Sequence, residues 1–409
     1  MQTLKKSFEY DYVIIGAGIS GLYTGYKFLL LGITNFAIYE KSDRYGGRIG
    51  EINFCGTMIP IGAGIGRAKK DKLLKKLLND LNIEISTYVT NSEVLEKHKY
   101  INIKEIMNNL KFIYYKHTQN YINLNFKEFF LMHYDETTYK NFLINSGYTD
   151  FEKSNILDVL EHYNMDDNYG QIEIIKIKWN KLINNLVMKI GEDKIFLNHK
   201  IHNITNHDKI FYTNTNYPYS TNGDTKIISS KNIVIATDIL FLQKLLKNTI
   251  YDQVKHQPFI RIYAKLSKTS SDQLKKIMKF GSILVDSVIH RIITMNEEKR
   301  IYMIVYSDND DANKVLKMTT TELEEEIQKA INSNQFITIE EILRIYWKAG
   351  THYYLPSSKY IDRQSFISKL QFPINGLYVV GEAVSINQGW TEGALQSVEN
   401  IINVIKNFE

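Results

Sequence analysis

The segment DYVIIGAGISGLYTGYKFLLLG, residues 11–32, constrains the fold of this chain more than any other. Val13, Ile14 and Ile15 form a short apolar strand. Gly16, Gly18 and Gly21 complete a G-x-G-x-x-G turn, and residues 22–31 predict a helix ended by Gly32. Phe36–Tyr39 predicts a second strand, and it ends on the acid Glu40. This strand–turn–helix–strand–acid order is what a dinucleotide-binding turn requires. Gly16 permits the tight turn, Gly18 lets backbone approach a pyrophosphate, and Gly21 lets the helix pack on the strand. The N–H groups of Ile19 and Ser20 open the helix, whose positive end suits phosphate. Glu40 suits ribose hydroxyls and disfavours a 2′-phosphate, which argues against NADP and leaves FAD or NAD.

The next segments decide between those two. KSDRYGGRIGEINF begins at Lys41, and Arg44 and Arg48 bracket Gly46 and Gly47. Two arginines beside flexible glycines predict a loop that wraps the phosphates from the other side. Residues 58–67, MIPIGAGIGR, form a second glycine-rich turn. Gly62, Ala63, Gly64 and Ile65 give a bare backbone suited to close approach by a flat ring.

Composition excludes several classes. A net charge of +5 over 409 residues is too small to indicate a nucleic-acid binder. One cysteine, Cys55, allows no internal disulfide and fits a reducing compartment. There is no apolar leader and no run of 18 apolar residues. The expectation is a soluble, cytoplasmic protein with no membrane anchor, monomeric or homodimeric. With only 5 Pro, the abundance of Asn, Ile, Lys and Tyr reads as the bias of an AT-rich genome.

Beyond these motifs the sequence resembles the flavin-containing amine oxidase family. The middle element is Asp43-Arg44-Tyr45-Gly46-Gly47-Arg48, followed by the IGAGIG turn. The C-terminal element is Gly381-Glu382, then Gly389-Trp390-Thr391-Glu392-Gly393-Ala394. Residues 194–204 and 232–239 resemble the family's adenine-side strand pair, with the backbone of Ile201 in contact, and its returning core strand. The glycine pair usual before the preceding helix is replaced by Tyr169-Gly170-Gln171.

The resemblance implies an α/β fold: a Rossmann-type, glutathione-reductase-like FAD domain with an inserted α+β substrate domain on an antiparallel sheet. Residues 1–75, 190–250 and 366–409 would bind FAD, and residues 76–189 and 251–365 would bind substrate. PFIRIYAKL, SVIHRIITM and KRIYMIVYS predict an antiparallel meander turning at residues 296–299. Thr319–Asn332 predicts a helix. Glu382 would reach the ribityl and phosphate region, and the helix from Thr391 would point its N-terminus at the flavin.

The implied chemistry is oxidation of an amine by hydride transfer to flavin N5, with O2 reoxidising the flavin to give H2O2 and an imine that hydrolyses. Trp390 would be one wall of an aromatic cage, with His352 or Tyr353 as the other and Trp347 against the flavin. No cysteine stands in this element, so FAD would be non-covalent. Where many members carry a lysine near N5, the register offers Arg261, or Lys265 on the same strand face. Arg261 could instead pair with a substrate carboxylate. The acids Asp150, Glu152, Asp158, Glu161, Asp166 and Asp167 could attract a polyamine cation, but read better as a solvated helix face. Two alternatives share the FAD frame: a desaturase or protoporphyrinogen-oxidase-like dehydrogenase, and a flavoprotein without turnover.

Overall fold

The computed structural model describes residues 9–90, 92–95, 101–163, 165, 172–207, 210–216, 225–357 and 362–407. Tyr169-Gly170-Gln171, Asp166 and Asp167 lie outside them.

Two sheets organise the molecule. In the first, β1 (Tyr10–Ile15) is flanked in parallel by β2 (Phe36–Tyr39) and by the end of the strand Thr225–Ile235. Ile195–Phe196 extends the sheet beyond β2, and Leu377–Val379 extends it beyond Ile233–Ile235, again in parallel. Strands buried on both faces need continuous apolar runs, which the Val13–Ile15 and Ile233–Ile235 segments supply. The first half of Thr225–Ile235 instead pairs antiparallel with Ile210–Asn216, which pairs with Ile201–His207. The two strands of residues 194–204 therefore lie in one sheet but are not partners.

Helix α1 (Ile19–Leu30) starts three residues earlier than its periodicity suggests, because Gly18 takes the capping position. It packs against the helices Trp179–Ile190 and Thr391–Ile405. Leu22, Leu186 and Leu395 are fully buried there, and each contributes roughly 1.5–3 kcal/mol. Residues 179–189, assigned on sequence to the substrate domain, thus share the core of the dinucleotide sheet.

The second sheet runs in the order Ile339–Tyr354, Val254–Leu266, Ile301–Asp308, Arg291–Asn296, Ser282–Leu284, Glu93–Val94. The expected meander is corrected in two respects. Val254–Leu266 pairs with Ile301–Asp308, and the strand within SVIHRIITM begins only at Arg291. The cause lies at His290, whose φ of 55° breaks the extended run. Opposite Pro258 the long strand Ile339–Tyr354 carries a bulge between Trp347 and Thr351. Proline has no N–H for the ladder, so pairing lapses there. Gly350 sits in that bulge, where a Cβ would stand 2.4 Å from Cβ of Phe259.

The expected helix near residue 319 spans Thr320–Ala330, with Thr319 and Glu322 forming a capping box. Short helices between residues 103 and 161 pack an aromatic core of Phe126, Phe129, Phe130, Phe142 and Phe151. No helix among the described residues is long and apolar enough to cross a membrane. Cys55 is exposed.

Candidate active site

One cavity of about 2660 Å³ runs from the Gly16–Ser20 turn to the antiparallel sheet. At its first end, Gly16 has a φ of +106°, and a Cβ on Gly21 would lie 1.9 Å from the Gly16 carbonyl oxygen. No side chain fits at either position. Gly21 therefore packs behind the turn and is not on the cavity wall. A Cβ on Gly18 would meet nothing closer than 3.9 Å, so this glycine leaves open space above the helix start. No side chain caps α1 and no acid stands in its first turn, so its N–H groups and positive dipole end are offered to a ligand.

Glu40 closes this end. Its carboxylate accepts hydrogen bonds from the N–H groups of Ala17 (2.9 Å) and Ser42 (2.9 Å) and from the Ser42 hydroxyl (2.8 Å). Those contacts aim it, and lone pairs remain for ribose hydroxyls. Lys41 and Ile201 also line the wall, and Lys41 lies 3.8 Å from Asp238. This cradle fits a dinucleotide with free ribose hydroxyls, such as FAD.

The two arginines of the D-R-x-G-G-R element do different work from that expected. Arg44 is not on the cavity wall. Its guanidinium donates to the Tyr45 and Gly47 carbonyls of its own loop and lies 5.8 Å from the Trp347 ring. Arg48 is on the wall, but donates to the Gly350 carbonyl (2.8 Å) and to Glu382 (2.8 Å). Arg44 braces the backbone of its own loop, and Arg48 ties that loop to Gly350 and Glu382. The signal in the sequence was charge, and charge does not give direction.

Glu382 is the junction of the site. Besides Arg48, it accepts bonds from the backbone N–H of His352 (3.0 Å), from Nδ1 of His352 (2.8 Å) and from the N–H of Gly389 (3.2 Å). Burial alone would raise its pKa, but Arg48 and His352 outweigh burial and hold the carboxyl well below its usual range. The His352 side chain is fully enclosed, with Nε2 accepting from the Ile239 N–H at 3.4 Å. Both ring nitrogens are thus engaged, and His352 supports Glu382 instead of presenting an open face. Tyr353, its half-buried neighbour, lines the cavity.

Gly62, Ala63, Gly64 and Ile65 line the middle of the cavity. A Cβ on Gly62 would lie 1.9 Å from the Arg48 carbonyl oxygen, so this turn can seat on the D-R-x-G-G-R loop only as glycine. Trp347 donates Nε1–H to the Ile61 carbonyl at 2.7 Å. Trp390 is seated by Arg67, whose guanidinium carbon lies 3.9 Å from its ring centre. Arg67 is fixed in turn by a buried ion pair with Asp71 at 2.7 Å. Glu392 is not aimed at the cavity. It accepts from the N–H groups of Leu73 and Leu74, capping the helix Lys72–Asp80. Gly381, Thr391 and Ala394 complete this wall, and the helix Thr391–Ile405 opens there without a side-chain cap.

On the antiparallel sheet, Arg261 is 8% exposed and faces Gly64, where a Cβ would meet its Nη1 at 3.3 Å. It donates to the Tyr306 hydroxyl at 2.9 Å. Lys265, two strand pleats further, is not on the wall and pairs with Glu340 at 3.0 Å. Strand parity placed both on one face, but the cavity ends between them.

The acidic cluster is also corrected. Asp150 is buried on the cavity wall, where it accepts from the hydroxyls of Tyr163 and Thr351. Asp158 lines the wall too and pairs with Arg363 at 2.6 Å. Glu152 and Glu161 pair with lysines. Burial, then the charge of Asp308, pushes the Asp150 pKa upward. Three further wall residues, Tyr148, Arg291 and Tyr306, went unnoticed in the sequence. The one available signal was Arg291 inside the otherwise apolar stretch IHRIITM.

Comparison with known proteins agrees with this geometry. The NAD(P)-binding Rossmann-like domain family matches residues 14–81. Polyamine oxidase 6 of Oryza sativa subsp. japonica is 38% identical over 65 residues, 15% of this chain and 13% of that protein. Uncharacterized protein R188 of Acanthamoeba polyphaga mimivirus is 32% identical over 69 residues, 16% of this chain and 13% of that protein. These sequence matches span little of either relative's length. The structural likeness spans nearly all of the chain. Wild-type putrescine oxidase bound to putrescine superposes with a TM-score of 0.73 at 14% identity, covering 97% of this chain and 99% of that one. Cyclohexylamine oxidase from Brevibacterium oxydans IH-35A gives 0.74 at 14% identity, covering 97% and 100%.

Proposed function

We propose that the chain, which carries a Rossmann-like dinucleotide motif and superposes on solved amine oxidases along nearly all its length, binds FAD and oxidises a small amine at the expense of O2. The observation that carries this reading is the continuity of the cavity. The ribose-and-phosphate cradle at Gly18 and Glu40 opens into the chamber bounded by Trp347, Tyr353, Trp390 and Arg261.

Bound FAD would supply a two-electron acceptor for the C–H bond beside the amine nitrogen, with O2 as the final oxidant, so that the products are H2O2 and an imine that water hydrolyses. The chain's own residues bind, orient and exclude water. Gly16, Gly18, Ile19, Ser20 and Glu40 would hold the adenosine and phosphate end of FAD. The buried Glu382, fixed by Arg48 and His352, would hold polar groups in the middle. Gly62–Ile65 would offer bare backbone to the flat ring. Trp390 and Tyr353 bound the space in which the amine sits, and desolvation there favours the uncharged amine. In this reading residues 1–75, 190–250 and 366–409 form the cofactor part, joined by the helix Trp179–Ile190 packed in its core, and the remainder forms the substrate part.

A desaturase-like enzyme calls for an apolar channel, and a wall carrying Arg261, Arg291 and Asp150 does not suit one. The test is an oxygen-electrode and peroxide assay with primary amines, secondary amines, polyamines and amino acids. Stoichiometric O2 uptake and H2O2 release with one class supports the reading. No uptake with any class, from protein that retains FAD, sinks it.

A further inference from the structure

Two arginines on the cavity wall are left without an acid. Arg261 and Arg291 stand on the strands either side of Ile301–Asp308, which carries Tyr306, and both reach the Tyr306 ring. Their guanidinium carbons lie 4.6 and 6.0 Å from its centre. Arg291 also lies 5.1 Å from the Tyr148 ring, and the two tyrosines meet edge to face at 5.6 Å. Neither arginine has a carboxylate within 4.0 Å among the described residues. Nε of Arg291 is buried with no hydrogen-bond partner.

The chain makes room for this arrangement. Gly147 ends a helix at a φ of +69°, and a Cβ there would stand 2.7 Å from Nη2 of Arg291. Arginine stays ionised in proteins, so burial cannot be relieved by losing a proton. Two like charges sharing one ring repel, and tyrosine faces offset only part of the loss of water. Asp150, on the same wall, is engaged by Tyr163 and Thr351 and makes no ion pair with either arginine.

We propose that Arg261 and Arg291, set on Tyr306 and Tyr148, form a carboxylate clamp, so that the substrate is an amine that also bears a carboxylate. The planar guanidinium fork matches a carboxylate through two parallel hydrogen bonds; Nε of Arg291 is closed off from the cavity, so the Nη groups of this wall residue are the donors a carboxylate would meet. The same two charges disfavour a polycationic amine in this part of the cavity. The inference rests on the proposed amine oxidation for its substrate but not for its binding site.

The test is calorimetric titration of the purified holoprotein with butyrate and with butylamine, which separates binding from turnover. Saturable butyrate binding is expected, weakened roughly tenfold or more in Arg291→Gln, the scale of one charge-assisted pair. Arg291→Lys keeps the charge without the fork and falls between. If Arg291→Gln does not fold, Arg291→Lys and Tyr306→Phe give the same comparison. Failure of wild-type protein to bind acetate, propionate or butyrate overturns the clamp, as does binding that is equal in wild type and in every folded variant. Amine oxidation without carboxylate binding removes the clamp and leaves the proposed function. Carboxylate binding that depends on Arg291, with no amine oxidised, removes the proposed function and leaves the clamp.

Discussion

The carboxylate of Glu382 lies 2.8 Å from Nη2 of Arg48 and 2.8 Å from Nδ1 of His352. Three distant segments thus meet on one buried acid: the loop after the dinucleotide turn, the long antiparallel strand and the C-terminal core. Glu382→Gln leaves Arg48 and His352 facing a neutral amide. We expect a loss of about 3 kcal/mol, the low end for a buried pair, because the Arg48 side chain is 32% exposed. The pH dependence has a definite sign. The folded pKa lies below the ordinary value of 4.5, so the stabilisation is complete above that value and disappears as pH falls beneath it. Thermal melts between about pH 6 and 3 should drop more steeply for wild type than for the variant. Parallel curves contradict the assignment.

Asp150 behaves in the opposite sense. Its folded pKa is raised above the ordinary 3.8, so ionising it costs stability as pH rises from that value through the folded one. Asp150→Asn keeps an acceptor for the Tyr163 hydroxyl and removes that cost. The variant should be at least as stable as wild type at neutral pH, with a flatter pH profile by chemical denaturation. A loss greater than about 2 kcal/mol at neutral pH would mean that the ionised acid is needed.

Arg67 and Asp71 are both almost fully buried, and Arg67 seats Trp390. Asp71→Ala takes the carboxylate away from a buried guanidinium and should cost about 3–5 kcal/mol. If Trp390 bounds the amine site, a folded variant should raise KM several-fold at unchanged FAD content. Unchanged kinetics would place Trp390 outside the substrate path.

Gly393 tests the C-terminal loop. A Cβ there would fall 1.9 Å from the Asn387 carbonyl oxygen and 2.9 Å from Oγ of Ser385. Gly393→Ala must push the loop off the helix start, at a cost of about 1–3 kcal/mol. The moved loop carries Gly389, Trp390 and the N–H that binds Glu382, so FAD retention on gel filtration should fall. Full retention would show that the loop is not part of the cofactor seat.

The dinucleotide turn was legible because each glycine answers a local steric demand and each flanking strand is a continuous apolar run. The C-terminal element was legible for a similar reason at Gly393, whose Cβ would strike the nearby Asn387 carbonyl, whereas Glu382 is fixed by the distant Arg48 and His352. The aim of long side chains was not. Arg44 and Arg48 carry the charge of a phosphate clamp, yet carbonyls and Glu382 take their donors. His352 and Tyr353 are adjacent, and only the enclosing contacts of His352 separate their roles. Arg291, Tyr306, Tyr148 and Asp150 come together only through a strand order in which Val254–Leu266 skips its neighbour in sequence. No local pattern encodes that order. Pro258 was a local signal for the bulge at Gly350 and could have been read as one.

The most direct test of the central claim, that cofactor cradle and amine chamber are one site, is an anaerobic absorbance titration of the purified protein. The account predicts a flavin spectrum that bleaches on adding an amine and returns on admitting air. Protein that holds FAD and is bleached by no amine, with or without a carboxylate, would contradict it.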